Sequence, residues 1–211
     1  MKFLEVLVEG ASDQPTVRAI LNNRFGLIEN QDYRIHPHQG KGKLPKHPHH
    51  KPDPKRRGLL DLLPATLKGY RGFPVGRCVV VLVDADDTQC ETLKADLIEL
   101  HRKLKFRPSC ALFRIAVEEI ESWFIADHDA IRQAYPKAKT ALLDGIKPDS
   151  VIGAWELLAK ALGRKPEDCS SADKHEWATK IAPYLDLDDP KSPSLRAFVK
   201  GINKLLRDTK K

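Results

Sequence analysis

The stretch Cys78-Val79-Val80-Val81-Leu82-Val83-Asp84-Ala85-Asp86-Asp87 decides the fold. Six apolar residues in succession, four of them valine, follow soon after Gly76 and run straight into acids. A strand without polar alternation is buried on both faces, the condition of a parallel sheet with helices above and below. In open α/β sheets, ligands gather in the crevice beyond the carboxyl ends of the strands. Asp84, Asp86 and Asp87 therefore stand where such a sheet does its chemistry, and the stretch is a candidate metal-binding edge.

Working outward, Phe3 to Val8 reads as a second apolar strand, ending in Glu9-Gly10. Ser12 or Asp13 can cap the helix that follows, Pro15 suits its first turn, and Val17, Ile20 and Leu21 form its buried stripe. Tyr33 to Pro37 is a short third strand, and Gly58 to Tyr70 a leucine-rich helix that Pro64 begins or kinks. After the central strand, with Asp87 as a helix cap, Leu93, Leu97, Leu100 and Leu104 recur at near-helical spacing; Ser109 to Val117 is strand-like apart from Arg114. Strand and helix alternate four times. The alternation predicts an α/β three-layer sandwich with a mainly parallel four-stranded sheet and right-handed crossovers.

The last strand runs into Glu118-Glu119-Ile120-Glu121-Ser122-Trp123-Phe124. Acids favour the first turn of a helix through its dipole, and glutamates at a strand end are also what a second metal site would use; both readings stand. From Asp129 the pattern is helical: Val151 to Leu162, Ala172 to Tyr184, and Ser192 to Leu206, the last capped by Ser192 and started by Pro193. Trp155 and Trp177 read as core anchors, and the tail after Arg207 as frayed. The expected organisation is an α/β domain over 1–128, carrying a basic insert at 34–71, with a helical extension over 129–211 packed on it.

A chain of 211 residues with 41% apolar and 31% charged residues can bury a proper core. No run approaches the roughly 18 apolar residues of a membrane span, and Glu5 and Glu9 interrupt the opening stretch, so a cytoplasmic protein is expected. Cys78, Cys90, Cys110 and Cys169 include no CxxC pair, and the expectation is reduced, mostly buried thiols.

The net charge of +7 is concentrated: Arg34 to Arg71 holds ten Lys/Arg against Asp53 and Asp61, an excess that accounts for all of it. Nucleic acid is the natural partner of such a block, although charge-rich loops are often only solvated. His38-Gln39-Gly40-Lys41-Gly42-Lys43 places two glycines about a lysine, suited to phosphate approach, but lacks the GK[ST] ending of a Walker A loop. Pro45 to Arg57, with Lys46, Lys55, Arg56 and Arg57, has little to bury and reads as an exposed loop. His36, His38, His47, His49 and His50 lack a companion Cys or tetrahedral spacing, so a phosphate-facing loop is expected ahead of a zinc site.

Glu9-Gly10-Ala11-Ser12-Asp13, the His38 to Leu44 run, Val83-Asp84-Ala85-Asp86, Glu119-Ile120-Glu121-Ser122-Trp123 with Ala126-Asp127, and Ser192-Pro193-Ser194-Leu195 together resemble a TOPRIM-like family of unknown function, DUF4276. The resemblance spans nearly the whole chain. It is similar in turn to the TOPRIM domains of overcoming-lysogenisation-defect nucleases, and implies a TOPRIM/Rossmann-like fold. It also implies Glu9 as general acid/base or metal ligand, Asp84 and Asp86 as Mg²⁺ or Mn²⁺ ligands, and Glu119 and Glu121 as the second acidic group. His38, Lys41, Lys43, Lys46, Lys55, Arg56 and Arg57 would then hold the phosphates of RNA or DNA, giving affinity without sequence reading. Members of such families are often encoded beside an ABC-type ATPase in phage-defence islands, which implies a partner.

Physics runs parallel to the resemblance. Carboxylates crowded in one crevice either take up protons or need a cation, and Mg²⁺ suits oxygen ligands. The expected function is a metal-dependent nuclease. Its rival is a non-catalytic nucleic-acid-binding or ATPase-docking module in which the basic loop matters and the acids do not. A receiver-like phosphatase pocket fits poorly, because the first strand ends in Glu-Gly.

Overall fold

The computed structural model describes residues 2–49, 51–72, 76–86 and 88–207. Four strands, β1 (Phe3–Val8), β2 (Tyr33–Pro37), β3 (Arg77–Asp84) and β4 (Ala111–Ala116), form one all-parallel sheet in the order β2-β1-β3-β4. Val6 pairs with Ile35 on one side and Val80 on the other, and Val80 pairs with Leu112. The α/β class and parallel sheet agree with the sequence reading, which found each strand to within two residues.

Strand alternation sorts the core into two layers. Leu7, Val79, Val81, Val83, Phe113 and Ile115 face α2 (Leu59–Gly69) and α3 (Cys90–Lys103), whose Leu59, Leu63, Leu67, Leu93, Leu97 and Leu100 cover them. Leu4, Val6, Val8, Val80 and Leu82 face the opposite layer, where Val17, Ile20 and Leu21 of α1 (Gln14–Phe25) pack. The short helices α4 (Glu121–Ile125) and α5 (His128–Ala134), then α6 (Ala154–Ala161), α7 (Ser171–Ile181) and α8 (Pro193–Arg207), share that second core. Near-complete burial of β3 explains its unbroken valines. Pro64 lies inside α2, and α3 is capped at Gln89; Asp87, read as a cap, and His50 and the 208–211 tail lie outside the described residues.

The chain order fixes where a ligand fits. β1 leads to β2 on one side, whereas β3 leads to β4 on the other. The connections diverge at the carboxyl ends of β1 and β3, leaving the crevice of a topological switch point there.

Three features depart from expectation or extend it. Cys78 and Cys110 are joined by a disulfide across 32 residues, with Cα atoms 4.7 Å apart, so only Cys90 and Cys169 are free thiols. The reduced-thiol reading fails because neighbouring strands β3 and β4 run in a register that sets these two residues side by side. Glu5, in the middle of β1, is buried and accepts from Arg77 Nη1 and His36 Nε2, each at 2.7 Å. Ser192 caps α8 through its Oγ to Leu195 N–H, as the Ser-Pro pattern suggests, while Asp149 accepts from both Ser192 Oγ and Ser194 N–H at 2.7 Å. Ser194 in turn receives the Trp123 indole N–H at 2.7 Å, which ties α8 to α4 and the turn bearing Glu121.

Candidate active site

β1 and β3 end side by side, and their terminal acids meet. The Oε1 of Glu9 accepts the backbone N–H of Asp84 at 2.7 Å. One residue further on, Gly10 opens a 3-10 turn, Ala11–Asp13, and its N–H donates to Asp13 Oδ2 at 2.9 Å. Asp13 is thereby drawn back beneath Glu9. The sequence reading treated Asp13 only as a helix cap; here its carboxylate is buried and belongs to the acidic cluster.

The short connection from β4 to α4 brings Glu119, and α4 opens with Glu121. Glu119 Oε2 accepts Trp155 N–H at 3.2 Å, and Glu121 is buried. Between them comes Lys174 from α7, its Nζ 3.5 Å from Glu119 and 3.7 Å from Glu121, resting 5.0 Å above the Trp155 ring. Nothing in the sequence marks Lys174. It reaches the site because α7 crosses the 3-10 turn, where His175 Nδ1 meets the Ala11 carbonyl at 3.0 Å.

Asp86 takes another partner. Lys41 Nζ donates to Asp86 Oδ2 at 3.0 Å and to the Ala85 carbonyl at 2.7 Å. The backbone is strained on both sides of this edge: Asp86 has φ 45° and Glu118 φ 63°, and the Asp86 N–H donates to the Glu118 carbonyl. Non-glycine residues in the left-handed region cost about 1–3 kcal/mol each and cluster at functional sites.

The electrostatics follow from crowding. Burial pushes the Glu9 carboxyl up from 4.5 to about 8, with Asp13 and Asp86 adding to the rise while the Asp84 N–H and Lys41 oppose it. Burial also raises Asp84 well above the usual range, helped by Glu9, Asp13, Glu121 and Glu119. Asp13, Glu119 and Glu121 rise for the same first reason. Burial lowers Lys174, but Glu121, Glu119 and Asp84 outweigh it and hold the ammonium charged. These shifts mark one coupled acidic site that favours cations.

The carboxylates are not yet arranged as a metal cage: among the described residues no three His, Cys, Asp or Glu side chains stand together so as to hold an ion. Lys174 and Lys41 supply the positive charge instead.

The basic segment adjoins this edge. His38 and Gly40 donate backbone N–H groups to the Val8 and Glu9 carbonyls, and His38 Nδ1 lies 3.0 Å from Val8 O, so that nitrogen carries the proton. Gly42 serves packing: with φ 69° it lies so close to Gly58 and Asp61 that a Cβ at either glycine would clash. That contact, with Lys43 N–H on Asp61 Oδ1 at 3.2 Å, closes the neck of the loop. Beyond it Lys43, Lys46, His47 and Arg56 line a cavity of about 580 Å³, together with Asp53 and Asp61. Lys55 and Arg57 are exposed and outside that lining. Among the described residues the histidines do not converge on a metal site: His36 is held by Glu5, and His38 by Val8.

Among the described residues no helix is long and apolar enough to cross a membrane. No curated protein and no solved structure matches this chain. A family model, described as a domain of unknown function, matches residues 8–203, from the last residue of β1 into α8 and across every element of the site. The chain belongs to the DUF4276 family.

Proposed function

We propose that this chain is a metal-dependent phosphodiester hydrolase acting on RNA or DNA, with an acidic edge organised as in TOPRIM domains. The observation that carries the reading is the contact of Glu9 with the Asp84 backbone at the switch point, with the Glu9 carboxyl raised by burial, Asp13 and Asp86, and the Asp84 carboxyl raised by burial and Glu9. Hard oxygen donors suit Mg²⁺ or Mn²⁺, and Mg²⁺ is commonly held by one or two carboxylates plus substrate phosphate. Glu9 and Asp84 would hold the ion, with Asp86, Glu119 and Glu121 completing the acidic wall once their lysines turn to phosphate. A bound divalent ion supplies Lewis-acid stabilisation and a water of lowered pKa.

The chain's own groups do the rest. With no ion bound, the Glu9 carboxyl near 8 would be matched to exchange a proton at neutral pH; as a ligand of the ion it would stay ionised instead. Lys41, at the mouth, meets a phosphate oxygen in place of Asp86, and the Lys43, Lys46 and Arg56 cavity holds the flanking backbone. His38, fixed next to the β1 terminus by its bond to the Val8 carbonyl, would contact a phosphate of the same strand. A cytoplasmic setting and a partner ATPase of the ABC type belong to the same proposal; co-purification from the native host tests the partner.

The test is cleavage of labelled single- and double-stranded RNA and DNA with Mg²⁺ or Mn²⁺. Asp84→Asn with Asp86→Asn should abolish cleavage, and undiminished activity of the double variant in a clean preparation sinks the hydrolase. One observation favours the rival, a non-catalytic nucleic-acid-binding or ATPase-docking module: the carboxylates already find lysine partners. Nucleic-acid binding that survives EDTA and the double substitution, with no cleavage of any substrate, supports it.

A further inference from the structure

At the other end of the sheet, α3 finishes in His101-Arg102-Lys103 and the chain continues Leu104-Lys105-Phe106-Arg107-Pro108-Ser109 into β4. Six residues of parallel strand at about 3.3 Å each put this corner roughly 20 Å from the acidic edge. A cavity of about 640 Å³ opens there, lined by Arg71, Ile98, His101, Arg102, Lys105, Phe106, Arg107, Pro108 and Ser109. Four of these are Lys or Arg and none is acidic.

Helix electrostatics explains part of this. Cations favour a helix C-terminus, so His101, Arg102 and Lys103 are accounted for, and Arg102 is further held by Glu99 at 2.7 Å. Arg107 Nη1 donates to the Arg102 and Leu104 carbonyls and closes the helix end. Helix capping does not account for Arg71, Lys105, Phe106 and Ile98. Phe106 is 51% exposed and Ile98 50%, an apolar wall beside a basic cavity. The Arg71 guanidinium lies 5.3 Å and the Lys105 ammonium 5.6 Å from the Phe106 ring centre.

An exposed aromatic ring set among cations is the arrangement that binds single-stranded nucleic acid, with a base stacked on the ring and the adjoining phosphates on the cations. We propose that Phe106, with Arg71 and Lys105, forms a stacking site for single-stranded RNA or DNA, separate from the acidic edge. Arg71 and Lys105 leave the ring face for phosphate when a base takes their place, and Arg107 keeps the loop in shape. The site requires no hydrolysis at Glu9 and Asp84; if those residues cut a strand, this corner anchors it at a distance.

The experiment is fluorescence anisotropy of a labelled 12-nucleotide oligo-dT in EDTA, with the full chain and Asp84→Asn. EDTA and Asp84→Asn remove the proposed cleavage, so the outcome does not depend on it. Phe106→Ala should weaken binding about 10-fold, in line with roughly 1–3 kcal/mol per stacked base, whereas Phe106→Trp should retain it. Lys46→Ala/Arg56→Ala serves to separate the loop cavity: the Phe106 effect should persist in that background. Because Phe106 is half exposed, its variants should melt within a few degrees of wild type. Binding unchanged in Phe106→Ala overturns the proposal. So does loss only in Arg71→Ala/Lys105→Ala with Phe106→Ala unaffected, which describes a generic polyanion patch, and so does absence of oligo-dT binding by the wild type.

Discussion

Glu9 reaches from the end of β1 to the backbone N–H of Asp84 at the end of β3, 2.7 Å away, so the two central strands are joined at their carboxyl termini by a side chain whose carboxyl burial lifts to about 8. The ordinary value is 4.5, so the folded protein holds a proton there that the unfolded chain has released. Stability in metal-free solution must fall as pH rises from about 4.5 to 8 and level off above. Glu9→Gln keeps the acceptor oxygen but removes the titration. In EDTA, wild type minus variant should grow more unfavourable to wild type between about pH 5 and 8, reaching on the order of 2–4 kcal/mol. Melting curves that stay parallel across that range would show that Glu9 ionises freely.

Lys174 is the counter-charge for Glu119 and Glu121. Lys174→Met leaves the buried Glu121 and the partly buried Glu119 carboxylates facing each other and should cost about 1–3 kcal/mol at pH 8. Millimolar Mg²⁺ should raise the melting temperature of the variant more than that of wild type if the acidic wall accepts divalent ions. Equal shifts in both proteins would place the ion elsewhere.

Glu5 depends on Arg77 in a similar way, but within the sheet. Arg77→Leu removes the cation that neutralises the buried Glu5 carboxylate, which keeps its contact with His36, and should cost about 3 kcal/mol in urea denaturation. Glu5→Leu with Arg77→Leu should recover most of that loss, since an apolar pair of similar volume is often neutral. A double variant no more stable than Arg77→Leu alone would show that the ion pair itself organises β1.

The Cys78–Cys110 disulfide is open to a direct count. Denatured, non-reduced protein should react with two equivalents of a thiol reagent, from Cys90 and Cys169. Four equivalents in protein prepared without reductant would refute the bond. Closing a loop of this length contributes about 3–4 kcal/mol in the chain-entropy account, so reduction should lower the melting point by several degrees.

The architecture was legible because burial on both faces leaves a mark on composition. Cys78 to Val83 has no polar alternation, and only a strand covered by helices above and below tolerates that. Glu9 and Asp84 were legible for a related reason, since polar residues directly after such strands lie at the sheet's edge. Gly42 has a role that its neighbours in sequence do not show: it accommodates Gly58, sixteen positions away.

The sequence alone therefore determined the strands, the helical faces and which acids end the strands, because period and polarity are local properties of the chain. Tertiary structure decided the rest. Whether Cys78 meets Cys110 depends on β3 and β4 being neighbours in one register. Whether Lys174 joins the acidic edge depends on α7 crossing the turn after β1, about 160 residues away in sequence. Contacts between distant segments are set by how two cores pack on one sheet, and no window along the chain contains both partners.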